Sequence, residues 1–306
     1  MPHTLQYRPV LIDALISNER IASYARVFRP SNDVELIGAY LWNVHVCSAL
    51  YPLVSSVEIA LRNAIDQALV ADMGAFWWSA SKLKYRSYKA DAPPPRAVQA
   101  VHENFVKATR KTINEMRGRH HVRGRITPRH ADVLAKAEFS TWGYLLDAEF
   151  MGRGLIWPKH LSAVFRGPWP VRRAGATLAQ AHDLVATVRE FRNRLFHHEP
   201  AWKRYGVHTE ADALLHLHEK LDVVEKLLGL IHPENLRLLQ VYGLLLAARR
   251  SCTVEEIRRF QHLAQVHRVE SMDVLAGLVA RCHARNETLA ARLGHSPSAP
   301  FLISLP

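Results

Sequence analysis

Apolar residues that recur every three or four positions run through most of this chain. Val54, Val57, Leu61, Ile65 and Leu69 form one such stripe, and residues 34–50 show the same mixed spacing. That period puts side chains on one face of a helix, whereas a half-buried strand needs strict alternation. No continuous alternating run suggests a sheet, so the expected class is all-α. With 306 residues, the chain can build one large domain or two modest ones, each with a core. It contains no internal repeat and no low-complexity block.

Punctuation places the elements. Pro52 is expected to break the 34–50 run and begin a second helix over 53–72, which Gly74 stops. The triple proline at 93–95 makes 83–95 a loop. A helix follows from Ala97 to about Met116, then a basic loop, Arg117 to His130, then a helix over 130–148. Residues 152–176 combine Gly, Pro and Trp and read as a connection with one short helix. Two strong helices are expected at about 177–198 and 209–230, the second ended by His232-Pro233. Residues 234–306 read as two or three further helices and a tail. The expected organisation is therefore a domain over 1–232 and a C-terminal helical extension over 233–306.

The formal net charge is +12. Such a surplus favours polyanions, nucleic acid first and an anionic membrane surface second, or simply a well-solvated basic surface. Cys47, Cys252 and Cys282 are odd in number and far apart. A disulfide framework or thiolate metal site is not expected, and a reducing cytoplasm fits best. The N-terminal twenty residues lack a secretory pattern. No run reaches roughly 18 uninterrupted apolar residues; the longest candidate, 236–248, reads as a buried helix. No membrane association is expected.

One segment gathers reactive groups. Val188 to Trp202 contains Arg189, Glu190, Arg192, Asn193, Arg194, His197, His198 and Glu199, leaving Val188, Phe191, Leu195 and Phe196 to pack. Pro200 requires the helix to end near Glu199. Asn193 and His197 are one turn apart and share a face. Arg192 lies roughly 140° around the helix from His197, within reach of a shared phosphate. Arg194 pairs by spacing with His198 on a different face. This set suits RNA cleavage. The 2′-hydroxyl needs a base and the leaving oxygen an acid, and histidine can serve as either. A guanidinium suits the charge developing on phosphorus. Asn193 could orient the imidazole or donate to a phosphate oxygen. No metal is needed, and the product would be a 2′,3′-cyclic phosphate. The competing reading is a basic helix end, where histidines also meet the dipole favourably.

The run RNRLFHHEP resembles the signature of the Abi-like (abortive infection) family, in which R-N-x-x-x-H-H-E-P is typical. That family belongs to the HEPN superfamily of all-helical nucleases, whose R-x-x-x-x-H pattern Arg192, Asn193 and His197 match. SSVEIALRNAIDQAL, with Glu58, Arg62 and Asn63, is similar to the family's N-terminal E-x-x-x-R-N helix. DVLAKAEFSTWGYLL is similar to its mid-chain aromatic segment, with Phe139 to Tyr144 departing in detail. The resemblance spans about residues 10–230. It implies a HEPN-like helical bundle and an endoribonuclease acting as a toxin in phage defence. It also implies a homodimer with two facing motifs, controlled by an antitoxin or phage-derived trigger. No cofactor is implied. Some members of the superfamily are non-catalytic, so a helical module that binds nucleic acid or a partner protein is the alternative.

Other candidates are assigned roles on the residues alone. Glu58 and Arg62, with Asn63, either brace the reactive helix or touch RNA, or else Glu58 and Arg62 are an ordinary helical ion pair. Lys107, Arg110, Lys111, Arg117, Arg119, Arg123, Arg125 and Arg129 face a single acid, Glu115, and are expected to track phosphates, unless they form a merely solvated loop. Histidines 120, 121, 130, 208, 216 and 218 lack acids or cysteines at ligand spacing, so no metal site is assigned. Phe76-Trp77-Trp78 and Trp157 with Trp169 are read as core or interface anchors. Val254, Ile257, Phe260, Leu263 and Val266 keep helical spacing and could complete the core, make a dimer contact or bind an antitoxin.

Overall fold

The computed structural model describes residues 16–30, 33–120, 124, 126–168, 173–261, 267–285, 289–294 and 301–303. Among these are twelve α-helices and three short strands, so the class is all-α as expected. The helices are α1 (Asn18–Phe28), α2 (Asp33–Met73), α3 (Arg96–His120), α4 (His130–Leu134), α5 (Phe139–Leu145) and α6 (Leu161–Val164). They continue as α7 (Ala174–Phe196), α8 (Glu210–Ile231), α9 (Pro233–Val241), α10 (Leu244–Ser251), α11 (Val254–Gln261) and α12 (Met272–Arg285). Packing divides the chain into two compact units. The first comprises Met1–Leu53, Asn193–Asp222 and Leu239–Pro306; the second comprises Val54–Arg192 and Val223–Leu238.

α2 corrects the reading of Pro52. The helix runs unbroken for 41 residues with Pro52 inside it. Proline removes one backbone donor, which leaves the carbonyl four residues earlier without its usual partner. That carbonyl belongs to Ser48, which is exposed, so water can serve it. The apolar stripe carries straight through: Trp42, Val46, Leu50, Leu53, Val57, Leu61, Ile65 and Leu69 all have 0% exposure. Each such side chain contributes about 1.5–3 kcal/mol by leaving water, enough to hold the helix across one missing bond. Glu35–Met73 is also long and apolar enough, by length and composition, to cross a membrane.

The first unit is built on an aromatic cluster. Tyr24 and Phe28 of α1 pack edge-on against Trp202 at 5.2 and 5.1 Å, and Phe28 meets Trp42 at 5.3 Å. Trp42 Nε1 donates to Ser251 O at 2.8 Å, which ties α2 to α10 within the same unit. α1 is capped by Ser17, whose hydroxyl accepts from Arg20 N; the sequence reading has no helix there. The absence of a sheet was also a misreading. β1 (His267–Val269) pairs parallel with β2 (Leu289–Leu293), and β2 pairs antiparallel with β3 (Phe301–Ile303). These strands are three to five residues long, too short to display alternation. Val269, Leu278, Cys282, Leu289, Ala291 and Ile303 bury their side chains together beneath α12. The helical spacing read through 253–283 therefore serves two helices, with β1 between them; Leu263 and Val266 lie outside the described residues.

In the second unit α3 packs against α4 and α5, and Trp77 Nε1 donates to Asp66 Oδ1 of α2 at 2.8 Å. Trp77 and Trp157 are fully buried and Trp78 nearly so, consistent with their reading as core anchors, while Trp169 lies outside the described residues. Trp78 is stacked on Phe105 at 4.1 Å and on His130 at 4.7 Å. His130 Nδ1 accepts from Phe76 N at 2.9 Å, and its Nε2 lies 2.9 Å from Asp66 Oδ1. The first bond leaves Nδ1 without a proton, so Nε2–H donates to Asp66. The expected single helix over 130–148 is broken into α4 and α5. Glu138 is extended at φ −69°, ψ 149°, which turns Phe139, Trp142 and Leu145 inward. Residues 236–248 are likewise not one buried helix. Gly243 adopts φ 69° between α9 and α10, and Val241 and Tyr242 are each 74% exposed.

Candidate functional site

α7 ends at Phe196, two residues before the expected 198. His197 N still donates to Asn193 O at 2.9 Å, continuing the helical bond pattern. His198 then takes φ 55°, a left-handed conformation that a non-glycine residue adopts at some strain. Its N–H reaches Leu195 O at 3.3 Å, and Glu199 N reaches Arg194 O at 2.9 Å. This paired pattern is the Schellman helix end, with His198 in the position that glycine usually fills. Pro200 forbids any return to the helix. Ala201 N donates to Asn43 Oδ1 at 2.9 Å, and the buried Trp202 anchors the exit in the first unit's aromatic cluster. The stretch Asn193 to Glu199 is thus held at both ends.

Within the first unit Asn193, His197 and His198 are all exposed. The helix end separates His198 from the helical pairing with Arg194 that its spacing implied. Arg194 instead lies 3.6 Å from Glu199, Nη1 to Oε2. Phe196, read as a packing residue, is 40% exposed and its ring meets Tyr51 at 5.3 Å. Nothing in the spacing of either residue signals that contact, because they are 145 positions apart in sequence (196 − 51).

Arg192 falls in the second unit. Its Nε lies 3.5 Å from Glu58 Oε2, and both side chains are about a quarter exposed, at 29% and 23%. Glu58 therefore pairs across to α7 and not with Arg62, one turn along its own helix. Arg62 Nε donates to Asn63 Oδ1 at 3.3 Å. The trio is thus split: Glu58 contacts α7 through Arg192, and Arg62 and Asn63 bond to each other beside it.

The basic block is partly described. On α3, Lys107, Arg110, Lys111 and Arg117 are exposed on one stripe, about 15 Å long at the helical rise. Glu115 is held by Lys136 at 2.7 Å. Arg129 does not belong to the free block, since its guanidinium forks onto Asp132 through two 2.9 Å bonds. Arg123 and Arg125, with the side chain of Arg119, lie outside the described residues. If this stripe tracks phosphates, replacing Lys107, Arg110 and Lys111 by glutamine should flatten the salt dependence of RNA binding by about 0.7 per lost phosphate contact. An unchanged slope in filter-binding titrations would remove this stripe from the interface.

His216 on α8 is a buried histidine of the first unit with a strongly lowered pKa. Its side chain is 3% exposed, with Nδ1 3.9 Å from Glu219 Oε2, and Arg204 reaches the same carboxylate oxygen at 2.9 Å. Burial, reinforced by Lys220 and Arg204, pushes its pKa down from 6.5 to about 4. The folded pKa lies below the unfolded one, so the imidazole's contribution is complete above about pH 6.5 and drains away as pH falls toward 4. Over that window wild type should lose about 2–3 kcal/mol relative to His216→Gln. Urea melts at several pH values test this, and parallel profiles for the two proteins would refute it.

The chain matches no protein-family model, no curated protein and no solved structure.

Proposed function

We propose that this protein is a metal-independent endoribonuclease of the HEPN type, belonging to the Abi-like group, and that it acts in the cytoplasm as a growth-arresting toxin in phage defence. His197 moves the proton, Arg192 offsets charge developing on phosphate, and Asn193 orients; His198 is the reserve acid or base. In the reaction the 2′-oxygen bonds to phosphorus and loses its proton to the base. The P–O5′ bond breaks and the leaving oxygen takes a proton. The observation that carries this reading is the exposure of Asn193 and His197 on consecutive turns of one anchored helix end, one residue after an arginine braced by Glu58. The resemblance of RNRLFHHEP supports it, as does the exposed cationic stripe of α3 for holding RNA. A homodimer as the active unit, and control by an antitoxin or phage trigger, rest on the resemblance alone.

The alternative, a non-catalytic helical module that binds nucleic acid or protein, has one observation in its favour: Arg192 already has a carboxylate partner. RNA incubated with purified protein in EDTA separates the two. The nuclease leaves 2′,3′-cyclic phosphate ends; intact RNA, 3′-hydroxyl ends or a requirement for Mg²⁺ would reject it.

A further inference from the structure

The second unit holds a cavity that the ribonuclease reading does not use. It encloses about 300 Å³, at the lower end of the range for small-ligand sites. Its walls are the last turn of α2, the segment containing Ser81, Lys82 and Lys84, and the segment from Gly154 to His160. Three lysines and one histidine line it against one carboxylate, that of Asp72.

The hydrogen bonds define what remains available. Lys82 Nζ donates to Met73 O at 2.9 Å and to Ala75 O at 2.8 Å, capping the end of α2. An ammonium has three donors, so one N–H of Lys82 is left. Asp72 sits in the last helical turn, where the dipole disfavours an acid. It is compensated by Lys159 Nζ on one oxygen and by His160 Nε2, 3.1 Å from the other. Lys159 keeps two donors after this pairing. Lys84 is exposed, with no ion-pair partner among the described residues. The cavity therefore has two positive charges in surplus, three lysines against one aspartate, and at least six unspent N–H donors. A phosphate monoester carries about −1.5 to −2 near neutral pH and accepts through three oxygens. Charge and donor count both match it.

The walls are fixed before any ligand arrives. Lys82 fastens its segment to α2, and the Asp72 contacts fasten α2 to residues 159 and 160. Beyond Lys84, Ser87 donates from N and Oγ to Glu149 Oε2 at 3.1 and 2.7 Å, and Arg86 N donates to Glu149 O at 2.8 Å. Leu83, one residue before Lys84, is 3% exposed. Lys84 thus leaves a backbone held on both sides, which reduces the ordering cost of binding.

We propose that this cavity binds a small phosphorylated molecule through its phosphate, with Lys84, Lys159 and Lys82 as the anion's partners. The site stands independently of the ribonuclease reading. Calorimetric titration of the 306-residue chain with inorganic phosphate and with adenosine 5′-monophosphate tests it. Both probes should bind one site per chain. Equal affinities identify free phosphate as sufficient, and tighter nucleotide binding identifies a phosphate ester. Lys84→Ala should weaken both probes by about tenfold, and Lys84→Glu by more, with unchanged melting temperatures. Lys226→Ala, an exposed charge elsewhere on the unit, should bind as wild type. The proposal is overturned if neither probe binds, if Lys84→Glu binds like wild type, or if Lys226→Ala weakens binding as much as Lys84→Ala.

Discussion

Replacing His197 by alanine is expected to slow RNA cleavage by about 10²–10⁴-fold, the range that a positioned acid or base supplies. Stability should hardly change. The imidazole is exposed, and the bond that shapes the helix end is made by its backbone N–H to Asn193 O, which alanine keeps. His198→Ala should retain cleavage. It lies in the strained left-handed position, so alanine gains nothing there, and glycine should stabilise by roughly 1 kcal/mol. A His197→Ala protein that cleaves at the wild-type rate would remove His197 from the chemistry and move it to another group.

Arg192 needs a paired test, because its ion pair with Glu58 gives it a structural reason to exist. If it acts on phosphate, Arg192→Ala should lose about 10²–10³-fold in cleavage, as the removal of one charge-stabilising donor does, while Glu58→Gln stays within a few-fold of wild type. If the pair only braces α7, the two substitutions should cost similar stability and leave cleavage alike. The measurement is cleavage rate beside melting temperature for both variants.

Much of the helical layout was legible, because α3, α7 and α8 are long amphipathic runs bounded by Gly and Pro. The misreadings share physical causes. Pro52 is a strong breaker locally, yet burial of Leu50, Leu53, Val54 and Val57 on the same stripe outweighs one lost bond. Glu138 breaks the 130–148 run without any Gly or Pro, because Phe139 and Trp142 are drawn inward. Three- to five-residue strands carry too little pattern to be seen. At the candidate site, spacing put Asn193 and His197 one turn apart, and the bond from His197 N to Asn193 O keeps that turn. Spacing could not reveal that Glu58 answers Arg192, an ion pair across 134 residues (192 − 58). It also missed the Lys82, Lys84, Lys159 and His160 cavity, whose members come from segments with no reactive signature of their own.

Gly167→Ala is expected to be among the most destabilising single-methyl changes in the chain. Gly167 N donates to Leu230 O at 3.0 Å, which draws this segment against α8. A Cβ at Gly167 would stand 1.8 Å from Gly229 O and 2.8 Å from Gly229 C. Those are backbone atoms inside a helix, so no rotamer change relieves the clash. Either the 165–167 segment withdraws and loses its bonds to Leu230 and Ile231, or α8 bends. Overpacking typically costs 1–3 kcal/mol where side chains can yield, and a rigid backbone wall places this case at about 3 kcal/mol or more. Against total stabilities of roughly 5–15 kcal/mol, the melting temperature should fall by roughly 5–10 °C. Gly118→Ala provides the opposite sign. It is an exposed position in α3 with no atom within 4 Å of the added methyl. Gly118 lies in the last turn of α3 without a positive φ, so replacing it should stabilise by up to about 0.5–1 kcal/mol. Thermal melts that place both variants at the wild-type midpoint would disprove the close backbone approach at Gly229.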